Sequence, residues 1–418
     1  MHSCSCLLIA ILALSVAAKP IEIRASSVTL SLAKKLDTSG SAQYLVDQDR
    51  ARAQALIQRG LNTTSQQNRR DATVPASESQ AVVYVAQVNF GSSTTECADI
   101  ANFVSDSGSS TTWVGAGQPW TPDSSTTTNN EAVLVIYGSG QMEVGTLYTG
   151  PVSLGNGLTV QNQGFALSQF AQGFQGYDGI LGIGPEDLTL GTVVENPTET
   201  IPTITQNLRQ LGLISQALVG VFFEPSSTDT AEGELSFGAP NSARYTGQLT
   251  YYPVTGTSPA SRYWGIDQSI TYGSTTILSV TAGIVDTGTT LIHLALDAFI
   301  AYQTATGAQL DSPAPIGTGL LYITTEQYNQ LQNLDFHIGG DTYTLTPNAQ
   351  IWPRALNAAI GGSSDLVYLI VSNLATPSGM GLDFVNGMCF LERYYSVYDT
   401  DQNRIGFAST EYTTSTVN

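Results

Sequence analysis

The sequence predicts a mostly β protein built from two related halves. Short runs of alternating apolar and polar residues, such as "EAVLVIYGSG" and "GQLTYYPVT", recur through a chain rich in Thr, Ser, Gly, Val and Tyr, and this pattern is typical of strands. Two copies of one motif, "DSGSS" from Asp106 and "DTGTT" from Asp286, indicate an internal repeat. The roughly 350 residues from Asp71 onward are also too many for one core and enough for two.

The N-terminus has the features of an export signal. It reads "MHSCSCLLIAILALSVAAKP", with an apolar run over residues 7–18 that ends in small residues. This run is too short to span a bilayer and is typical of a signal peptide, which we assign to residues 1–18. No later segment reaches about 18 consecutive apolar residues. The sequence therefore predicts a secreted protein with no membrane partner, and an extracellular destination is favoured over a vacuolar one.

The charge is strongly acidic and unevenly distributed. The formal net charge is −19 at pH 7, yet residues 1–70 hold nine of the fifteen Lys and Arg and only four of the thirty-four Asp and Glu. The acidic remainder argues against nucleic acid or an anionic membrane as a partner. It also favours acid surroundings, because protonation of carboxylates there relieves their mutual repulsion.

Residues 19–70 carry a charge opposite to that of the rest of the chain. The spacing of apolar residues predicts a helix over residues 44–61, and the segment ends in Arg69-Arg70. One interpretation is a charged, solvated linker. The other is a propeptide that covers the acidic part of the chain and is released when the pH falls.

The repeated aspartates suggest acid–base chemistry. If the two halves face each other across a pseudo-twofold axis, Asp106 and Asp286 come within hydrogen-bonding distance. Two carboxylates this close do not both ionise easily, so they share one proton, as is well established for such pairs. One carboxylate can then act as a base on a water molecule while the other acts as an acid on a carbonyl oxygen.

The residues that follow each aspartate are predicted to support this pair. The hydroxyl directly after each aspartate would hold the two loops together, the glycine would allow close backbone approach, and the next hydroxyl would donate to the carboxylate. These residues are Ser107, Gly108 and Ser109 in the first copy, and Thr287, Gly288 and Thr289 in the second.

Other catalytic chemistries find little support in the sequence. No Cys/His cluster has metal-ligand spacing, and we expect neither a metal nor an organic cofactor. Downstream of residue 70 the only histidines are His293 and His337, which argues against a Ser-His-Asp triad; His293 is expected to be packed or exposed rather than catalytic. Cys97 and Cys389 could form a disulfide in an oxidising compartment or remain two buried thiols.

Several further segments resemble one protein family. They are "VIYGSG" at residues 135–140, "YDGILGIGP" at 177–185, "GELSFGAP" at 233–240 and "NGMCFLERYYSVYDTDQNRIGFA" at 386–408. Together with the two aspartate motifs, in this order, they resemble the pepsin-like aspartic proteases, and most closely the polyporopepsin-type group of fungal secreted enzymes. The resemblance covers nearly all of residues 71–418.

The resemblance implies a particular architecture. This is a bilobal pepsin-like aspartic protease fold, with pseudo-twofold symmetry and an active-site cleft between the lobes. The N-terminal lobe would span residues 71–245 with the first catalytic aspartate, and the C-terminal lobe residues 246–418 with the second. Residues 19–70 would be the propeptide of a zymogen, in which Lys34 or Lys35 pairs with the two aspartates.

The resemblance also implies an activity, namely a secreted endopeptidase that hydrolyses peptide bonds at acid pH. A hairpin flap with Tyr137, Gly138 and Ser139, supported by a hydrogen bond from Trp113, would close over the substrate. The implied partners are an extended peptide or protein substrate and pepstatin-like inhibitors. A monomer suffices because one chain carries both aspartates. The neutral side chain of Ser139 favours cleavage between large apolar residues.

The strand before Asp106 departs from the family's pattern. It reads "ECADIANFVSDSG", with Ser105 where the second copy has Val285, and it is a few residues longer than in relatives. A buried hydroxyl without a partner costs roughly 1–3 kcal/mol, and we expect the extra residues to be absorbed upstream of Phe103.

An active peptidase is therefore weighed against a pepsin-fold protein that binds peptides without cleaving them. A third hypothesis, an acidic β-rich carbohydrate-binding protein, leaves the paired motifs unexplained.

Overall fold

The computed structural model describes residues 27–36, 42–61, 82–91, 101–137, 141–174, 176–225, 231–311 and 317–418. The α-helices in these ranges are α1 (Ala42–Leu61), α2 (Ile204–Gln210), α3 (Leu296–Thr306), α4 (Thr325–Tyr328) and α5 (Met388–Leu391). Short 3₁₀-helices span Glu186–Thr189, Ala260–Arg262, Asn348–Gln350, Arg354–Leu356 and Ala358–Ile360. None of the helices in the described ranges combines the length and the apolar character that a membrane crossing requires.

Strands dominate the described part of the chain, with 40% of its residues in strands and 18% in helices, so the mostly β prediction is confirmed. The strands up to residue 253 are β1 (Val28–Leu36), β2 (Val82–Phe90), β3 (Ala101–Asp106), β4 (Trp113–Val114), β5 (Ala132–Ile136), β6 (Met142–Ser153), β7 (Thr159–Gln172), β8 (Gly179–Gly182), β9 (Leu218–Phe223), β10 (Glu232–Phe237) and β11 (Thr246–Pro253). The later strands are β12 (Gly265–Tyr272), β13 (Thr275–Val285), β14 (Ile292–Leu294), β15 (Gln309–Leu310), β16 (Leu321–Ile323), β17 (Leu334–Ile338), β18 (Asp341–Leu345), β19 (Val367–Tyr368), β20 (Val371–Asn373), β21 (Phe384–Asn386), β22 (Tyr394–Asp399) and β23 (Arg404–Ser409).

Within the described residues the strands form three sheets. The largest has the order β11-β23-β22-β9-β10-β1-β2-β3-β8-β4-β7-β6-β5, the second has the order β18-β17-β12-β13-β21-β14-β20, and β15, β16 and β19 form the third. Antiparallel pairing of β22 with β9 brings the end of the chain into the largest sheet. The early strand β1 lies between β10 and β2, so it is an interior strand of that sheet.

The two aspartate motifs occupy equivalent places in their sheets. Strand β3 ends at Asp106 and runs parallel to β8, and β4 returns antiparallel to β8. Strand β13 ends at Val285, directly before Asp286, and runs parallel to β21, while β14 returns antiparallel to β21. Each aspartate therefore begins a loop that connects two strands flanking a short third strand, as the internal repeat predicts.

The apolar core has one large cluster and smaller satellites. The large cluster joins residues of the central sheet, such as Leu235 and Phe407, to residues of the second sheet, such as Ile266. A separate cluster beneath β4, β5 and β7 contains Trp113 and Tyr137. This second cluster fixes the base of the hairpin formed by β5 and β6.

Strand β3 keeps a regular register despite the unusual sequence before Asp106. Ala101 pairs with Val88 and Val104 with Val85, with no register shift in between. Residues 92–100, where we expect the extra residues to be absorbed, lie outside the described residues. Ser105 is 2% exposed, and its hydroxyl has no hydrogen-bond partner within the described part of the chain. The cost of burying this hydroxyl is therefore not offset by a hydrogen bond to any described residue.

Strand β1 corrects the expectation for Lys34. Its ammonium group lies 2.8 Å from Oε1 of Glu392 in a buried ion pair and does not contact the two aspartates, because β1 places it in the central sheet. The side chain of Lys35 lies outside the described residues.

Cys389, near this ion pair, has a free thiol. Burial raises the pKa of this thiol well above its usual value. Cys97 lies outside the described residues.

Candidate active site

The loops after β3 and β13 bury their aspartates and surround them with donors. Asp106 is 1% exposed and Asp286 is 0% exposed. In each loop the glycine N–H donates to Oδ1 and the second hydroxyl donates to Oδ2 of the aspartate. These bonds are Gly108 N to Asp106 at 2.9 Å, Ser109 Oγ to Asp106 at 2.5 Å, Gly288 N to Asp286 at 3.1 Å and Thr289 Oγ1 to Asp286 at 2.6 Å.

The residues directly after the aspartates connect the two loops. The N–H of Ser107 donates to Oγ1 of Thr287, and the N–H of Thr287 donates to Oγ of Ser107, both at 2.9 Å. The Thr287 hydroxyl also donates to the carbonyl of Ser105 at 2.9 Å. These reciprocal bonds fix the two loops relative to each other, so the hydroxyls lie where the sequence predicts.

Gly108 and Gly288 each face the carboxylate of the opposite loop. A Cβ atom on Gly108 would lie 2.8 Å from Oδ1 of Asp286, and a Cβ atom on Gly288 would lie 2.7 Å from Oδ1 of Asp106. Both distances are shorter than a carbon–oxygen contact allows. The loops can therefore approach this closely only with glycine at both positions.

A guanidinium group lies between the two aspartates. Nη2 of Arg52, on α1, donates to Oδ1 of Asp106 at 2.6 Å and to Oδ1 of Asp286 at 3.2 Å. Its Nε donates to Oδ2 of Asp286 at 2.8 Å. Arg52 is 4% exposed. Because both carboxylates accept bonds from one nitrogen, the structure brings Asp106 and Asp286 into one site, with α1 lying across it.

The guanidinium determines the charge state of the site. Burial alone would raise the pKa of Asp286, but the charge and hydrogen bonds of Arg52, with those of Thr289 and Gly288, hold this pKa below its usual value. Burial likewise opposes the charge of Arg52, yet the two carboxylates raise its pKa. With α1 in place, the guanidinium of Arg52 therefore forms a buried ion cluster with the carboxyl groups of Asp106 and Asp286.

Tyr137, the first residue of the predicted flap, directly follows β5. Tyr137 is 4% exposed, and its hydroxyl accepts a 2.6 Å hydrogen bond from Nε1 of Trp113, which is 0% exposed. Phe174 packs edge-on against both rings, with centroids 4.8 Å from Trp113 and 5.2 Å from Tyr137. The structure thus joins Trp113 and Tyr137 as predicted, whereas Gly138 and Ser139 lie outside the described residues.

For the peptidase that the resemblance in the sequence implies, replacing Trp113 by phenylalanine is expected to lower kcat/KM for a peptide about five- to tenfold. The change removes the hydrogen bond that Tyr137 accepts from Trp113, worth on the order of 1 kcal/mol, and keeps most of the ring packing. The matched control is Trp120→Phe, which removes a 3.3 Å bond from Nε1 to the carbonyl of Phe90, remote from the flap. Steady-state kinetics on one peptide distinguish the two variants. Equal losses in both would contradict a specific role for Trp113.

A buried glutamate lies on β6, the strand that pairs with β5. Glu143, on β6, is 0% exposed, and neither carboxyl oxygen has a hydrogen-bond partner among the described residues. Burial raises its pKa to about 8. Glu143 is therefore protonated in the folded protein at pH values where a glutamate in the unfolded chain is ionised. Its contribution to stability is fully present below the usual glutamate pKa of about 4.3 and is lost as the pH rises towards 8.

The variant Glu143→Gln should remove this pH dependence. Through Glu143, the wild type is expected to lose about 3 kcal/mol of its free energy of unfolding between pH 4 and pH 7, and the neutral amide avoids that loss. Urea unfolding at both pH values measures the difference, with the exposed Glu199→Gln as control. If the difference in the free energy of unfolding between the variant and the wild type is the same at pH 4 and pH 7, this explanation fails.

Sequence reasoning missed the groups on α1 that enter the site. Asp49 and Arg52 share one helical face with the buried Leu45 and Leu56, at spacings i, i+4, i+7 and i+11. Charged residues on the apolar face of a predicted helix were the available signal. We instead expected Lys34 or Lys35 to pair with the aspartates, and the structure pairs Lys34 with Glu392. No signal in the sequence singled out Glu143.

Comparison with known proteins matches most of this chain. The family model for the eukaryotic aspartyl proteases matches residues 83–410. The chain is 52% identical over 348 residues to polyporopepsin from Irpex lacteus, which covers 83% of this chain and 99% of that protein. It is 29% identical over 323 residues to pepsin A from Sus scrofa, covering 72% of this chain and 76% of pepsin A.

A solved structure also matches. The crystal structure of the aspartic proteinase from Irpex lacteus aligns with a TM-score of 0.76 at 52% identity, covering 80% of this chain and 96% of that one. The region that the family model matches contains both aspartate loops.

Proposed function

The chain belongs to the eukaryotic aspartyl protease family, and from this premise we propose that Asp106 and Asp286 are the acid–base pair of a secreted peptidase that is made as a zymogen. Its enzyme class, aspartic-type endopeptidase, and its pepsin-like fold confirm the predictions from the sequence. The observation that carries the proposal is the arrangement of two buried carboxylates around one nitrogen of Arg52.

In the active form, the aspartates share a proton. Once Arg52 has left, two buried carboxylates that both reach the position of one nitrogen cannot both ionise easily, so one of them keeps a proton. The ionised member takes a proton from water as the water attacks the peptide carbonyl carbon, and the protonated member gives its proton to the carbonyl oxygen. The tetrahedral diol then collapses: one aspartate gives a proton to the amide nitrogen as the C–N bond breaks, and the other takes a proton from a diol hydroxyl. The products are a carboxylic acid and an amine, and the pair again holds one proton. The hydroxyls of Ser109 and Thr289 hold the Oδ2 atoms, which leaves the Oδ1 atoms facing the opposite loops.

The substrate is an extended peptide or protein segment that lies over the aspartates beneath the flap. Its backbone would pair with the edges of the cleft, and its side chains would enter alternating pockets. Tyr137, held by Trp113, closes over it and excludes water other than the attacking molecule. Pepstatin-like inhibitors would compete for the same space. One chain supplies both aspartates, so a monomer is sufficient.

The zymogen is proposed to consist of a signal peptide (1–18), a propeptide (19–70), an N-terminal lobe (71–245) and a C-terminal lobe (246–418). The support is that α1 covers the aspartates and inserts Arg52 between them. Export to the extracellular space is favoured over the vacuole, as the N-terminal apolar run suggests.

The direction of the pKa of Asp286 predicts how the zymogen responds to acid. With α1 in place this pKa is depressed, so the attachment of α1 is stabilised above the ordinary aspartate pKa of about 4 and weakens as the pH falls through and below it. Acidification would therefore release the propeptide and expose the active site.

The alternative is a pepsin-fold protein that binds peptides without cleaving them. The observation in its favour is the buried hydroxyl of Ser105 beside Asp106, which has no hydrogen-bond partner among the residues that the structure describes. Against it, the hydrogen bonds from the glycine N–H and from the second hydroxyl to Asp106 repeat those to Asp286. We therefore favour the active peptidase.

Acid treatment of the full-length protein followed by incubation with denatured haemoglobin tests the proposal. We expect fragments at acid pH, none in the presence of pepstatin, and an activity that falls towards neutral pH. Pepstatin binding without cleavage would support the alternative, and an activity maximum at pH 7 or above would contradict the acid–base pair.

A further inference from the structure

A buried tryptophan bonds to the backbone that supports each of the two aspartate loops. Trp264 lies directly before β12 and is 2% exposed. Its indole Nε1–H donates to the carbonyl of Ile183 at 3.2 Å, and its own carbonyl accepts the N–H of Val285 at 3.0 Å. Ile183 belongs to the first half of the chain and Val285 to the second, so one residue connects the two halves.

Both partners of Trp264 are joined directly to the aspartates. Ile183 directly follows β8, the strand that pairs with β3, and its N–H donates to the carbonyl of Asp106 at 2.9 Å. Val285 directly precedes Asp286 in the chain. Every step on this path between the two aspartates is therefore a hydrogen bond or a covalent link.

Packing fixes the orientation of the indole. The ring of Tyr398, on β22, packs against the indole with centroids 5.4 Å apart, and Tyr398 is 1% exposed. Strand β22 lies between β9 and β23 in the largest sheet. Because the indole is packed against a side chain of an interior strand, its N–H restrains the position of the carbonyl that accepts it.

The strand before Asp106 is the one that benefits from such a restraint. Ser105 has a buried hydroxyl with no hydrogen-bond partner in the described part of the chain, whereas the apolar Val285 holds the equivalent place before Asp286. A buried polar group without a partner destabilises the position that buries it. The hydrogen bonds through Ile183 oppose a shift of β3 out of that position.

We propose that Trp264 is a positioning residue of the acid–base pair, which keeps the carboxyl groups of Asp106 and Asp286 close enough to share a proton. This inference rests on the proposed function. With α1 in place, the guanidinium of Arg52 also connects the two carboxylates. The contribution of Trp264 is therefore greatest after α1 has left, when the pair must share its proton without that bridge.

The variant Trp264→Phe removes the indole donor and keeps an aromatic ring. Aspartates that are less firmly positioned are less strongly coupled, so the bell-shaped pH profile of kcat/KM should narrow from both sides. In the activated enzyme we expect the midpoint of the acid limb to rise and that of the alkaline limb to fall, by at least about 0.5 pH unit in total. At the optimum, kcat should fall about fivefold with KM unchanged. Cleavage of a peptide without ionisable side chains, followed over both limbs, measures these values.

The matched control is Trp352→Phe. Trp352 is 3% exposed, and its Nε1 donates to the carbonyl of Leu356 at 3.3 Å, so this substitution removes the same kind of buried bond from the same kind of ring. Urea unfolding first identifies which full-length variants fold, and Trp264→Tyr takes the place of Trp264→Phe if the latter does not. We expect Trp352→Phe to keep the pH profile and the kcat of the wild type.

The outcomes separate this inference from the function on which it rests. A wild-type enzyme that does not cleave the peptide at acid pH contradicts the proposed function. Cleavage by the wild type with unchanged limb midpoints in Trp264→Phe overturns the positioning role even if kcat falls, because a general loss of stability lowers activity without moving both midpoints towards each other. Narrowing of equal size in Trp352→Phe would also overturn it.

Discussion

The full-length Arg52→Gln variant is expected to become proteolytically active at pH values where the full-length wild type, the proposed zymogen, stays inactive. The guanidinium makes three hydrogen bonds to two buried carboxylates, and removing one partner of such a buried cluster costs about 3–5 kcal/mol. A loss of 3 kcal/mol raises the population with α1 detached by more than about 100-fold.

The same substitution changes the response to pH. In the wild type, Arg52 depresses the pKa of Asp286, so the attachment of α1 is stabilised above the ordinary aspartate pKa and is lost on acidification. Without the guanidinium, the aspartates can share a proton while α1 is still bound, and acid is no longer needed to release it.

Peptide cleavage by freshly purified protein, followed from pH 3 to pH 7, measures this effect. Arg50→Gln is the matched control, because Arg50 lies two residues away on α1 and pairs only with Asp47 and the carbonyl of Asn373 among the described contacts. We expect Arg50→Gln to follow the wild type. If Arg52→Gln has the same pH dependence of activity as the wild type, the guanidinium is not what keeps the proposed zymogen inactive.

The parts of the site that the sequence predicted lie on short, repeated motifs. Asp106 and Asp286 could be paired because their loops have the same chemical pattern, and Trp113 could be joined to Tyr137 through the resemblance to a family. In both cases the relevant contacts follow from local spacing and from strand topology.

The sequence did not predict the positions of Arg52 and Glu143, because these depend on how separate helices and strands pack. Which basic residue of the N-terminal segment reaches the aspartates depends on where β1 and α1 lie. Strand β1 brings Lys34 to Glu392, whereas α1 brings Arg52 to the aspartates. The burial of Glu143 depends on the pairing of β6 with β7, which shifts register between Val144 and Gly145. Neither placement is encoded in the neighbouring residues alone.

The variants Asp106→Asn and Asp286→Asn are each expected to abolish cleavage while sparing the fold. Each change keeps the volume and most hydrogen bonds of the aspartate but removes its ability to exchange a proton, and such acid–base groups contribute about 10²–10⁴ to the rate. The hydrogen bonds between Ser107 and Thr287 do not involve the carboxylates and should keep the loops in place. The exposed Asp267→Asn serves as control.

The most direct test of the central claim compares kcat/KM at acid pH for both single variants and the double variant. Each is activated by an added protease that cuts after Arg69-Arg70 and is then inhibited. If the two aspartates act as one unit, either substitution lowers kcat/KM by at least about 10³-fold and the double variant loses no more than the single ones. Cleavage by Asp106→Asn at a rate near the wild type, or losses that multiply in the double variant, would contradict a shared acid–base pair.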